Sequence, residues 1–249
     1  MKKKLGQNFL RNADISQKIV ELSDFDPLIK ILEIGPGDGA LTDMLIKLSS
    51  NLSLLEYDSD LILPLKNKYK KYNFEIINDD ARTYKINSNS KTNIIGNLPY
   101  YASNIIIRNF MFQKPVNSMV FTVQKEVGAQ IVAGNGKKSY LSLLIQSYCE
   151  VKELLIIKNT EFFPVPKVDS MTVKITPKAI ANNPKYNDFI RKSFSNPRKK
   201  ILNSISMGLS LSSEEVKALL SFSNIDENLR PQHLSLGDWK NLYEKFKNL

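Results

Sequence analysis

Short apolar runs at residues 30-35, 52-57, 74-78, 93-96, 118-123, 153-158 and 171-175 read as strands, and the early ones are separated by helical spacing at 41-49 and 60-71. In the first helical stretch Leu41, Met44, Leu45 and Leu48 recur at i, i+3, i+4 and i+7, which predicts one buried face. Strand and helix alternating in this way predicts an α/β protein with a doubly wound, mostly parallel sheet. The last two strands are joined by little more than a Pro-rich turn, which predicts an antiparallel edge.

Beyond a polar, proline-bounded linker from Thr176-Pro177 to Asn183-Pro184 the pattern changes to short helices. Ser212 with Glu215, and Ser235 with Asp238, have the spacing of capping boxes. Trp239, Leu242, Tyr243 and Phe246 follow the second at helical spacing, so Trp239 reads as core. Two domains result: an α/β domain over 1-178 and a small all-helical domain over 185-249.

In doubly wound sheets ligands sit at the carboxyl ends of the strands, and the polar residues of this chain collect there. Glu33-Ile34-Gly35-Pro36-Gly37-Asp38-Gly39 runs from the first strand into the first helix, and Glu56 ends the next strand, 21 residues beyond Gly35. A glycine turn lets backbone approach a ligand, and an acid at that distance suits a ribose diol. Gly35, Gly37 and Ala40 satisfy a dinucleotide pattern, so a nicotinamide cofactor and S-adenosylmethionine compete here. Pro36 removes a backbone donor that a pyrophosphate would want. A sulfonium, in contrast, would welcome carboxylates such as Glu33 and Asp38.

Asp79-Asp80 ends the third strand, where a carboxylate can accept from an adenine amine or simply cap a turn. Asn97-Leu98-Pro99-Tyr100 ends the fourth. Pro99 keeps Leu98 out of helical geometry, leaving the Asn97 amide and the Leu98 carbonyl to face a ligand as two close acceptors. Such a pair suits an exocyclic amine, and Tyr100 offers a stacking face for a base. Near the start, Asn8 and the Leu10 backbone belong either to a tail or to a lid over the glycine turn.

Composition narrows the partner. Thirty-five basic against 25 acidic residues give a net charge of +10, which favours a polyanion. The excess is concentrated: Lys2, Lys3, Lys4 and Arg11 stand near the start without an acid. Residues 185-203 hold six basic residues against Asp188 alone. Arg191, Lys192, Arg198, Lys199 and Lys200 are therefore the candidate phosphate contacts. Cys149 and His233 are single, which excludes an intrachain disulfide and a Cys- or His-rich metal centre, so no metal is expected. No run long enough for a signal peptide or membrane span follows the basic start, so a cytoplasmic protein without a membrane partner is expected.

Taken together, Gly6-Gln7-Asn8-Phe9-Leu10, Glu33-Ile34-Gly35-Pro36-Gly37, Glu56-Tyr57-Asp58, Asp80-Ala81 and Asn97-Leu98-Pro99-Tyr100 resemble the successive motifs of the ribosomal RNA adenine dimethyltransferases. Gln124-Lys125-Glu126-Val127, Phe162-Phe163-Pro164-Val165-Pro166-Lys167-Val168-Asp169-Ser170 and Arg230-Pro231 extend the likeness over nearly the whole chain. The resemblance implies a Rossmann-like methyltransferase sheet and S-adenosylmethionine as cofactor. It implies a site in which Asn8, Leu10, Gly35, Glu56, Asp80 and Asn97 hold that cofactor. Asn97, Leu98, Pro99 and Tyr100 would handle the target adenine, with Phe162 stacking on its other face.

Leu98 before the proline looks more like the small-subunit branch, which dimethylates two adjacent adenosines near the 3' end of its RNA, than the resistance branch acting on large-subunit RNA. The partner implied is small-subunit ribosomal RNA in an assembling subunit, met by a monomer; a non-catalytic assembly factor is the other alternative. Asn12, Gln130, Lys138-Ser139-Tyr140 and Pro197 depart from the family pattern.

Overall fold

The computed structural model describes residues 8-87 and 90-248 of the 249. Lys2, Lys3, Lys4, Gly6 and Gln7 lie outside the described residues. Two compact units form, one from 1-129 with 149-178 and one from 130-148 with 179-249.

The first unit is built on seven strands: β2 (Lys30–Ile34), β3 (Leu52–Glu56), β4 (Glu75–Asn78), β5 (Thr92–Asn97), β6 (Val116–Gln124), β7 (Cys149–Ile157) and β9 (Ser170–Pro177). They lie in the order β4-β3-β2-β5-β6-β9-β7. The five from β4 to β6 are parallel, and β9 pairs antiparallel with both β6 and β7. The expected doubly wound α/β sheet and its antiparallel edge are therefore present, with β9 inserted inside β7.

Helices α1 (Ala13–Ser23), α2 (Thr42–Leu48), α3 (Ser59–Lys68) and α4 (Ser103–Phe110) supply the cover. Asn12 caps α1 by accepting from Asp14 and Ile15, so its place in the chain does what an aspartate would do. Because central parallel strands are covered on both faces, β3 is buried along its whole length and β5 up to Asn97, and Ile31, Leu54, Ile94 and Ile95 are fully buried. Each such side chain contributes about 1.5–3 kcal/mol on burial. The strand order reverses between β2 and β5, which opens a crevice at their carboxyl ends.

A second, two-stranded sheet joins β1 (Phe9–Leu10) to β8 (Phe162–Phe163), pairing Phe9 with Phe163 and Leu10 with Phe162. The ladder is continued by Arg11 N–H donating to the Glu161 carbonyl at 2.8 Å. Asn12 Nδ2 donates to Glu161 Oε2 at 2.9 Å, so the chain start is tied to a segment 149 residues later.

The helical unit contains α6 (Tyr140–Tyr148), α7 (Pro184–Ser193), α8 (Ile201–Leu209), α9 (Ser213–Phe222) and α10 (Leu236–Phe246); α5 (Lys125–Ile131) runs across the sequence boundary at 129/130. Both capping boxes form, at Ser212/Glu215 and Ser235/Asp238. Trp239 is fully buried, with its ring 5.2 Å from Phe194 and 6.3 Å from Phe189. His233 Nδ1 accepts from the Arg230 N–H, a structural role.

Residues 130-148, which the sequence reading leaves in the first domain, pack with this unit. Ser142 to Tyr148 are buried, Tyr148 Oη donates to Asn187 Oδ1 at 2.7 Å, and Ser147 meets the Tyr186 hydroxyl at 3.2 Å. Pro197 lies in the turn between α7 and α8, where it breaks no helix.

Candidate active site

The turn after β2 places Gly35, Gly37 and Gly39 at positive φ, +64°, +60° and +93°. Only glycine adopts these without strain, and at Gly37 a Cβ would also stand 2.7 Å from the Phe9 ring. Phe9 thus lies across the turn. Arg11 pairs with Asp38 at 2.7 Å on the same side, so residues 8–11 cover the glycines, as a lid would, and do not form a free tail.

Glu56, at the end of β3, is held by backbone: Gly37 N–H donates to Oε2 at 3.2 Å and Asp58 N–H to Oε1 at 2.7 Å. Burial raises its pKa, while those two donors pull it down. Glu33 is 1 % exposed and accepts from Thr42 Oγ1 at 2.6 Å. Burial pushes its carboxyl up to about 8, against the pull of the Thr42 bond, so it is neutral at pH 7. The carboxylates expected beside a sulfonium are therefore not Glu33, which is neutral, nor Asp38, which is bound to Arg11.

At the end of β5, Asn97 Nδ2 donates to the Asn8 carbonyl at 2.8 Å. A carbonyl can only accept, so the amide NH₂ must face Asn8 and Oδ1 is left for a donor. Leu98 N–H donates to the Thr122 carbonyl, and no donor among the described residues reaches the Leu98 carbonyl or Asn97 Oδ1. Tyr100 is half-buried, and its hydroxyl shares a 3.0 Å hydrogen bond with Ser170 Oγ. Burial raises its pKa.

Phe162 departs from its expected place. It is 2 % exposed, packed in the core opposite Leu10, and does not line the cavity with Asn97 and Tyr100. Strand side chains alternate between faces, so its neighbour Phe163 points outward and is 56 % exposed.

Asp80 is also not waiting for a ligand. Oδ1 accepts from Arg82 N–H at 2.9 Å and Arg82 Nε at 3.0 Å, and Oδ2 accepts from Nε at 2.9 Å and Nη2 at 2.6 Å. The Arg82 bonds hold its carboxyl below the usual carboxylate range. Arg82 and its neighbour Tyr57, whose ring centroid is 5.7 Å from Cζ, were missed by sequence reasoning. An arginine two residues after an aspartate that ends a strand was the available signal.

The basic candidates belong to the helical unit. Arg191 and Lys192 share Asp188, at 2.5 and 2.9 Å. Lys200 Nζ donates to Asn228 Oδ1, and Lys199 lies against Met207. Arg198, Lys199 and Lys200 are exposed on the turn leading into α8.

One cleft, partly open to solvent, gathers Asn8, Leu10, Gly35, Glu56, Asp80, Asn97, Leu98, Pro99 and Tyr100. Its lining carries Asp38, Glu56, Asp58, Asp79 and Asp80, with the neutral Glu33 beside them, against one cation, Arg82, which is already paired. A pyrophosphate would meet carboxylates, and the Gly37 amide it would need is given to Glu56. A cationic nucleoside without phosphate fits this set of acceptors.

The description "Ribosomal RNA adenine dimethylase" matches residues 1–248. The Ribosomal RNA small subunit methyltransferase A of Alkaliphilus metalliredigens is 35 % identical, covering 96 % of this chain and 90 % of its own. The protein of the same name from Mycoplasma mobile is 36 % identical over 97 % and 96 %. Among solved structures, a dimethyladenosine transferase from Plasmodium falciparum is similar with a TM-score of 0.80, 24 % identity, and 96 % and 98 % coverage. The 23S rRNA methyltransferase ErmE is similar with a TM-score of 0.77, 22 % identity, and 96 % and 100 % coverage. At those identities the two structures speak for the fold, while the full-length match and the relatives above 30 % establish that the chain belongs to the ribosomal RNA adenine dimethylase family.

Proposed function

We infer that this protein dimethylates the exocyclic amine of two adjacent adenosines near the 3' end of small-subunit ribosomal RNA, using S-adenosylmethionine. The observation that carries the reaction type is the pair of acceptors without a donor, Asn97 Oδ1 and the Leu98 carbonyl, at the rim of an acidic cleft. S-adenosylmethionine, when bound, supplies an electrophilic methyl group. The two acceptors take the hydrogens of the target amine and turn its lone pair out of conjugation, which is positioning and electrostatics in place of a strong base. Tyr100, fixed through Ser170, offers a ring on which the extruded base stacks. Glu56 accepts from the ribose hydroxyls while Gly37 and Asp58 hold it in place.

Small-subunit RNA is favoured over large-subunit RNA because relatives 35 % and 36 % identical carry small-subunit names. The exposed Arg198, Lys199 and Lys200 support an RNA grip by the helical unit. Such an enzyme meets an assembling subunit in the cytoplasm, as a monomer. No helix among the described residues is long and apolar enough to cross a membrane.

Asn97→Ala tests the reading. Methyl incorporation into small-subunit RNA falls by at least about a hundredfold while RNA binding persists, by analogy with loss of one oxyanion-hole donor. Full activity in that variant refutes the mechanism. Primer extension across ribosomal RNA from cells lacking the protein separates an enzyme from a silent assembly factor. The stop caused by dimethyladenine disappears only if the protein is the catalyst, and the RNA in which it disappears identifies the subunit.

A further inference from the structure

We propose that Arg82 is a built-in competitor for the adenine end of the cofactor site, holding Asp80 closed until an adenine amine takes its place. The proposal rests on the cofactor reading above. Arg82 brings three N–H groups to the Asp80 carboxylate. One is the Arg82 backbone N–H on Oδ1, an Asx-type turn that can persist with a ligand in place. The other two come from the guanidinium: Nη2–H on Oδ2, and Nε–H shared between both oxygens. The fork bonds both oxygens, so an amine hydrogen competes with it for Asp80.

The surroundings permit the exchange. The Arg82 side chain is 37 % exposed, and its one ion-pair partner among the described residues is Asp80. The Tyr57 ring, 52 % exposed with its centroid 5.7 Å from Cζ, is a surface against which a released guanidinium can rest. Both Arg82 and Tyr57 line the same cavity as Glu56, so the released side chain remains beside the nucleoside. A pair this exposed is of modest strength, so it tunes affinity without blocking binding.

Competition and its chemical origin are both readable by calorimetric titration of the full chain with S-adenosylhomocysteine and with S-inosylhomocysteine, whose C6 carries a carbonyl oxygen in place of the amine. Arg82→Met keeps the length of the side chain and removes the fork. It is expected to bind S-adenosylhomocysteine about three- to tenfold more tightly than the natural chain. Arg82→Lys falls between the two. S-Inosylhomocysteine, an acceptor at C6, gains nothing from the change and loses a donor, so its binding to Arg82→Met is unchanged or weaker.

Added salt screens the Arg82–Asp80 pair, so the gap between the natural chain and Arg82→Met narrows as salt rises. Equal or weaker binding of S-adenosylhomocysteine by Arg82→Met overturns the proposal, because Arg82 is then a wall or a partner of the ligand. Equal tightening toward both ligands also overturns it, since the effect would then bypass the C6 substituent. Failure of the natural chain to bind S-adenosylhomocysteine at all removes the cofactor reading itself, a result distinct from either of these.

Discussion

Glu33 gives the sharpest quantitative test of the physics in the first unit. The carboxyl is 1 % exposed, accepts from Thr42, and titrates at about 8 in place of 4.5. Between those two values the folded chain holds a proton at Glu33 that the unfolded chain has released. Stability from this group is therefore fully present below the unfolded value and is lost as pH rises toward the folded one. Each unit of pH in that window removes about 1.4 kcal/mol, so the interval from about pH 6 to about pH 7.5 removes roughly 2 kcal/mol.

Glu33→Gln accepts from Thr42 in the same way but never ionises. Relative to the natural chain, the variant gains roughly 2 kcal/mol of stability over that interval. The raised carboxyl of Glu56 is common to both proteins and cancels. Urea unfolding followed by far-UV circular dichroism measures the difference at matched slope. Trp239 lies in the helical unit, so its fluorescence reports on the other unit and serves as the control. Stability curves for the two proteins that run parallel over this pH range refute a buried neutral carboxyl at Glu33.

Phe162→Ala is expected to cost about 3–5 kcal/mol of stability in urea titration, whereas Phe163→Ala stays within about 0.5 kcal/mol. In α8 a Cβ at Gly208 would run into the Lys192 carbonyl. Gly208→Ala therefore loses about 1–3 kcal/mol despite better helix propensity, read by Trp239 fluorescence during unfolding. Replacing Arg198, Lys199 or Lys200 with alanine lowers the slope of log affinity against log salt for RNA by about one for each phosphate that the side chain had neutralised. Arg191 and Lys192, both paired with Asp188, lower it less; a slope unchanged by all five substitutions removes the assignment of these residues to phosphate.

The sheet is legible in the sequence because β2, β3 and β5 are covered on both faces and each carries a short apolar core, Ile31-Leu32, Leu54-Leu55 and Ile94-Ile95. Gly35, Glu56, Asp80 and Asn97 reach one cavity for that reason: they end adjacent parallel strands. What escapes depends on neighbours distant in sequence or on a single-residue phase. Which of Phe162 and Phe163 faces inward is fixed by pairing with Phe9 and Leu10, and nothing local records it. Residues 140-148 have the apolar content of any buried helix. Only Tyr186 and Asn187, some forty residues on, show where that helix packs. Arg82 reads as one surface charge among many until its fork is seen on both Asp80 oxygens.

The pairing of β1 with β8 also sets an order of events during synthesis. The cover on the glycine turn needs Phe162 and Phe163, which follow Glu161, the residue that Asn12 meets across 149 positions of chain. At ordinary translation speed that interval is on the order of ten seconds. Until then Phe9 and Leu10 have no strand to pair with, and the Asn8 carbonyl that orients Asn97 has no β8 to fix it. A nascent chain can therefore complete its parallel strands from β2 to β6 well before it can orient the Asn97 amide proposed to hold the target amine.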